Sequence, residues 1–201
     1  MHAYASYGNH VRVYGLLAVV SVVSAWTLYW LSGLVALPQW LISVPSVAGV
    51  FGLLYVAFDR WAWKWKVSRL LGLSPTPDLS GSYDGELTST YRSTEDGEYF
   101  KVAIEIEVVQ SWSKLAVTLS VKRGTSTSRS ISAMAAMTQH GEATRLVYVY
   151  RNQVSPGIAD EDMRDHEGMA DVVITRDGRL EGRYFNSRPR SGSLLAQRRV
   201  A

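Results

Sequence analysis

The chain has 201 residues, no cysteine and a formal net charge of +3, which excludes disulfides and thiolate chemistry outright. The positive excess is unevenly placed: residues 1–72 carry five basic residues and one acidic residue, whereas the remainder carries 16 basic against 17 acidic. A domain with that balance does not coat a polyanion, so DNA is not an expected partner.

Residues 13–58 contain no Asp, Glu, Lys or Arg, a run of 46 positions. One bilayer crossing takes roughly 20 apolar residues, so the run predicts two spans, 13–31 and 39–58, parted by Ser32, Gly33 and Pro38. A secretory leader has a shorter apolar stretch and no second span behind it. The segment WAWKWK at 61–66 follows directly. Interleaved tryptophan and lysine suit either single-stranded nucleic acid or a membrane interface, and the apolar run upstream selects the membrane. On a continuous helix Trp61, Trp63 and Trp65 ring the axis at one depth, an interfacial belt joined on the far sides by Trp26, Trp30 and Trp40. Arg12 precedes the first span, Arg60, Lys64, Lys66 and Arg69 follow the second, and the intervening loop has no basic residue. The positive-inside rule then places both termini, and all that follows the spans, in the cytoplasm. Small residues at helical spacing (Gly15, Ala18, Ser21 and Ala25; Ser46, Gly49 and Gly52) allow close helix approach, which serves packing within one hairpin as well as between copies.

The expected boundaries are a membrane hairpin over 1–72, a linker over 73–78 rich in Pro and Ser, and a second domain over 79–201. There the hydrophobic period changes from 3.6 to 2. In YFKVAIEIEVVQSW, Val102, Ile104, Ile106 and Val108 alternate with Ala103, Glu105 and Glu107, the signature of a half-buried strand. Comparable runs recur to a total of eight, separated by turn signals such as Arg176-Asp177-Gly178. Eight antiparallel strands in so small a domain close most economically into a compact, lipocalin-like β-barrel, which removes free edges and leaves an interior able to hold one small ligand. A two-sheet sandwich is the alternative.

Nothing advertises catalysis. The four histidines lack ligand spacing, no nucleophile elbow or phosphate loop is present, and no cofactor motif is found. The acid-rich stretch at 160–167 reads as a solvated loop rather than an enzyme's acids. Parity instead exposes inner rows. Leu146, Tyr148, Tyr150 and Asn152 form one; Leu180, Gly182, Tyr184 and Asn186 form another. Both grow polar towards one end. Extending the row of the second strand reaches Gln110 and Trp112, and Ser126, Ser128 and Ser130 form a hydroxyl row. These residues are expected to share a mouth suited to a flat polar heterocycle. Tyrosines that merely plug the barrel and serines that solvate an outer face are the competing reading.

A two-span hairpin, then GxYxG at 81–85, VVQSW, STSRS, YVYRN, HEG and LEGRYFNSRPRSG in that order resemble the membrane-anchored β-barrel effectors of bacterial cyclic-oligonucleotide-based antiphage signalling (CBASS). The resemblance covers nearly the whole chain and is carried by the order of its short motifs. It departs at Tyr83, where the family more often has tryptophan, and at Asn186, where it has threonine. It implies a non-enzymatic receptor in the bacterial inner membrane: a cyclic dinucleotide made by a partner synthase enters the barrel, promotes homo-oligomerisation and drives the spans to breach the bilayer. Two phosphates need cations, and Arg188 and Arg190 follow the inner row ending at Asn186; the resemblance aligns Arg188 with a recurring arginine. A membrane-tethered carrier of an apolar ligand is the second functional reading.

Overall fold

The computed structural model describes residues 1–5, 10–34, 47–92, 99–123, 126–140, 143–154, 165–175, 177–188 and 190–199. They fall into two units. One comprises the chain's N-terminal strand and everything from Pro77 onward; the other runs over 8–76.

In the helical unit, α1 (His10–Leu34) is long and apolar enough to cross a membrane, and it alone meets that test among the described residues. Its sequence has an apolar circumference with one recessed edge: Val13, Leu17, Ser21 and Ala25, four residues apart, are buried, while Gly15 and Ala18 face outward. The Ser21 hydroxyl satisfies itself by donating to the Leu17 carbonyl at 2.5 Å. A second helix, α2 (Val47–Arg60), packs against α1, with the Tyr55 ring 6.1 Å from that of Tyr14. The expected second span begins at 39, and its first part lies outside the described residues.

The helix stops at Arg60, and this corrects the expected ring of indoles. A 3₁₀ turn, Ala62–Lys64, and a short helix α3, Lys66–Leu70, follow, with Trp65 extended between them. Trp63 is wholly buried with the Lys64 ammonium 5.3 Å over its ring, whereas Trp61 and Trp65 remain exposed. The break rotates one indole inward and leaves two outward.

The second unit is a closed antiparallel barrel of β2 (Gly81–Arg92), β3 (Tyr99–Gln110), β4 (Lys114–Arg123), β5 (Ser126–His140), β6 (Ala143–Val154), β7 (His166–Ile174), β8 (Leu180–Asn186) and β9 (Ser191–Arg198). Each strand pairs with its sequence neighbours; β2 then pairs with β9, and β4 with β5, to complete the ring. Ile104, Ile106, Val108, Leu115, Val117, Leu146, Tyr148, Val172, Leu180 and Leu194 meet in one continuous core. At eight strands a barrel's interior is narrow enough for side chains to meet across it, or to leave room for one small ligand.

An unanticipated ninth strand, β1 (His2–Ala5), joins the sheet. β4 and β5 stop pairing beyond Thr118 and Ile131, and β5 bulges between Ser132 and Met134 in its pairing with β6. There the Val117 amide donates to the Ser132 hydroxyl at 2.9 Å instead of to a backbone carbonyl. β1 occupies the gap, antiparallel to β4 at Lys114 and Leu115 and parallel to β5 at Ala135 and Ala136. The first residues of the chain thus belong to the barrel and not to the membrane hairpin.

Candidate ligand-binding mouth of the barrel

The two ends of the barrel differ. β2 enters the sheet at Gly81, and β1 runs parallel to β5, so both connections to the helical unit leave the barrel at the end that holds Gly81, Gln110, Leu115 and Leu180. This is the tether end. Ser89, Ser128, Asn152, His166, Asn186 and Gly192 mark the free end.

At the tether end the incoming chain forms a plug. The Gln110 carbonyl oxygen accepts from the Leu79 amide at 2.8 Å and its amide nitrogen donates to the Pro77 carbonyl at 3.1 Å. The Tyr83 hydroxyl donates to the Leu79 carbonyl at 2.9 Å, and Trp112 and Leu115 are fully buried. Gln110 and Trp112 are therefore separated from the other expected mouth residues by the length of the barrel. The correction follows from strand direction: β3 ends where β6 begins, so the end of the β3 inner row cannot meet Asn152 at the end of β6.

The free end gathers Ser128, Tyr150, Asn152, Tyr184, Asn186, Arg188 and Arg190; Tyr148 lies one layer deeper. The Ser130 hydroxyl donates to Asn152 Oδ1 at 2.9 Å, which fixes the orientation of the amide. Tyr150 stands between two rings, with Tyr148 at 6.3 Å and His166 edge-on at 6.3 Å. Glycines make room for the tyrosines: a Cβ on Gly168 would sit 2.4 Å from the Tyr150 hydroxyl, and one on Gly192 would sit 2.5 Å from the Tyr184 ring. Asn186 Oδ1 is buried with no hydrogen-bond partner. Arg188 and Arg190, in the β8–β9 connection, are half-buried.

Burial pushes the Tyr148 and Tyr150 hydroxyls well above their ordinary range, reinforced at Tyr150 by Tyr184. Burial also raises Tyr184, outweighing a hydrogen bond from Ser89 and the positive field of Arg190, both of which favour its phenolate. This end thus gathers neutral tyrosine hydroxyls, an amide oxygen without a donor, aromatic edges and the positive field of Arg190 on Tyr184. A buried acceptor left unmet costs about 1–3 kcal/mol. Ser89, Ser130 and His166 lie at the same end. The serine row already pointed to Ser130. His166 faces Asn152 only through a register set across a long connection, which strand periodicity cannot supply.

Over residues 74–198 the chain matches the domain described as "Cap15, cyclic dinucleotide receptor domain", and over residues 11–64 the region described as "Cap15, TM helices". The first match spans the barrel from its entering linker to the end of β9. The chain belongs to the Cap15 family. It is also 31% identical over 158 residues, 77% of this chain and 69% of the relative, to a protein of Yersinia aleksiciae named CD-NTase-associated protein 15. Membership of the Cap15 family of CBASS places a cyclic dinucleotide receptor domain on the barrel and a transmembrane region on the helices ahead of it. The family is described as a receptor. Among the described residues no group of three His, Asp or Glu side chains is placed to hold a metal; of the acid-rich stretch, residues 160–164 lie outside the described set.

Proposed function

We propose that the chain is an inner-membrane CBASS receptor that takes its cyclic dinucleotide at the free end of the barrel and, once loaded, associates with further copies to breach the bilayer. The observation that carries the reading is the buried, donorless Asn186 Oδ1 at the end of the barrel opposite the tethers, on the strand row that also holds Tyr184 and just ahead of Arg188 and Arg190 in the chain. A base supplies the missing N–H, and the guanidinium forks pair with phosphate oxygens, each arginine able to engage two at once. The polar groups that end the inner rows, Asn152 and Asn186, count against a carrier of an apolar ligand.

The strand β1 also bears on topology. Residues on both sides of the helical unit hydrogen-bond into one sheet, which favours an even number of membrane crossings between them. This supports the two-span hairpin with both termini and the barrel in the cytoplasm, where the product of a partner synthase is released. A reporter fused after Ala201 should be active only in the cytoplasm; periplasmic activity overturns this arrangement.

The direct test is calorimetry of the full chain in detergent against a panel of cyclic dinucleotides. Binding of at least one member at micromolar affinity or better, without hydrolysis, is expected. A folded protein that gives no heat with any of them, and releases a co-purified lipid on solvent extraction, is a carrier instead.

A further inference from the structure

Outward-facing side chains of β5 to β8 line up across the sheet. Met134 lies opposite Val149, Val149 opposite Met169, and Met169 opposite Phe185. Their relative exposures are 64%, 37%, 42% and 46%, respectively. The rows on either side carry ion pairs. Towards the free end come Ile131, Arg151, Glu167 and Ser187, with Arg151 paired to Glu167 at 3.5 Å. Towards the tether end come Ala136, Val147, Asp171 and Arg183, with Asp171 held by Arg145. Four strands at about 4.8 Å spacing make an apolar row roughly 14 Å long. An apolar centre rimmed by ion pairs has the composition of an interface.

We propose that this row is where a second copy of the chain docks. The orientation rests on the membrane-receptor reading above. Both tethers leave the same end, so copies held in one bilayer must meet with their tether ends on the same side. A two-fold axis running along the strands between β6 and β7 achieves this. It sets Met134 against the partner's Phe185, Val149 against the partner's Met169 and Arg151 against the partner's Glu167, with no like charges opposed. An axis along the row turns one barrel over and brings Glu167 against the partner's Asp171. The charge pattern and the tether geometry independently select the same arrangement. The row is smaller than the roughly 800 Å² per partner of a free-standing interface, so pairing depends on the raised local concentration of copies sharing a membrane.

Because the chain has no cysteine, introduced ones report cleanly. Differently tagged copies carrying Met134→Cys and Phe185→Cys are co-expressed, and their membranes oxidised with and without a panel of cyclic dinucleotides. A disulfide-linked pair bearing both tags is expected. Adding Met169→Lys to both copies should abolish it while leaving cyclic dinucleotide binding unchanged, and Glu86→Cys, on the opposite outer face, should give no pair. Linkage of Met134→Cys to itself in preference to Phe185→Cys overturns the proposed axis. Membrane-embedded, ligand-binding copies that do not link through the row overturn the docking surface and leave the receptor reading standing. Unlinked chain in the soluble fraction overturns both.

Discussion

The two ends of the barrel carry similar side chains in opposite circumstances. At the tether end an amide, Gln110, spends both its donor and its acceptor on the backbone of the entering linker. At the free end another amide, Asn186, keeps a buried oxygen with no donor. Trp112 is fully buried near one end, whereas at the other Tyr150 stands edge-on to His166 and Tyr184 lies in the field of Arg190. Side-chain type alone does not separate the two amides. Satisfaction does, because a buried polar group already paired has nothing left to offer a ligand.

The contrast breaks most visibly at Trp112. Trp112→Ala should cost about 3–5 kcal/mol of stability through the cavity it opens at the tether end, seen as a large fall in the denaturation midpoint of the full chain. Any protein that stays folded should bind the nucleotide as before. Lost affinity at an unchanged midpoint would put the ligand at the wrong end. Arg188→Ala should do the reverse. Hydrogen bonds to a charged group are worth roughly 1.5–3 kcal/mol, so titration calorimetry should show binding weakened about 10- to 150-fold at roughly 1.4 kcal/mol per decade, with melting barely moved. Wild-type affinity here would mean that the phosphates are met elsewhere.

The two amides sharpen the comparison. Gln110→Leu strands the Leu79 amide and the Pro77 carbonyl and should lower stability by about 1–3 kcal/mol without touching affinity. Asn186→Leu removes an unmet acceptor, so the protein should melt no lower than wild type, yet affinity should fall about 2- to 10-fold for the loss of one hydrogen bond. If Asn186→Leu were destabilising and neutral for binding, Asn186 would be structural and the mouth misassigned.

The smallest effect is on pH. The buried Tyr148 and Tyr150 hydroxyls hold their protons above the ordinary 10.0, so the unfolded chain releases protons that the folded barrel keeps. Stability is then full below pH 10 and declines as pH rises beyond it. Thermal melts should be flat through neutral pH and fall only in strongly alkaline buffer. A decline beginning near neutrality would show that these hydroxyls are not buried.

The inner rows of β6 and β8 were legible because strand parity is local: Leu146, Tyr148, Tyr150 and Asn152 alternate with exposed partners whatever the rest of the chain does. The eight strands, the change of period after the linker and the apolar helix were legible for the same reason. The place of Gln110 is legible too, since consecutive hairpin strands reverse direction and β3 therefore ends at the end of the barrel where β6 begins. What the tertiary structure alone decided rests on pairing between distant segments. The parting of β5 from β4, the capture of His2–Ala5 in that gap, the inward turn of Trp63 and the approach of His166 to Tyr150 each depend on a partner far along the chain. Periodicity reports which face of an element is buried; it carries no information about what lies on the other side.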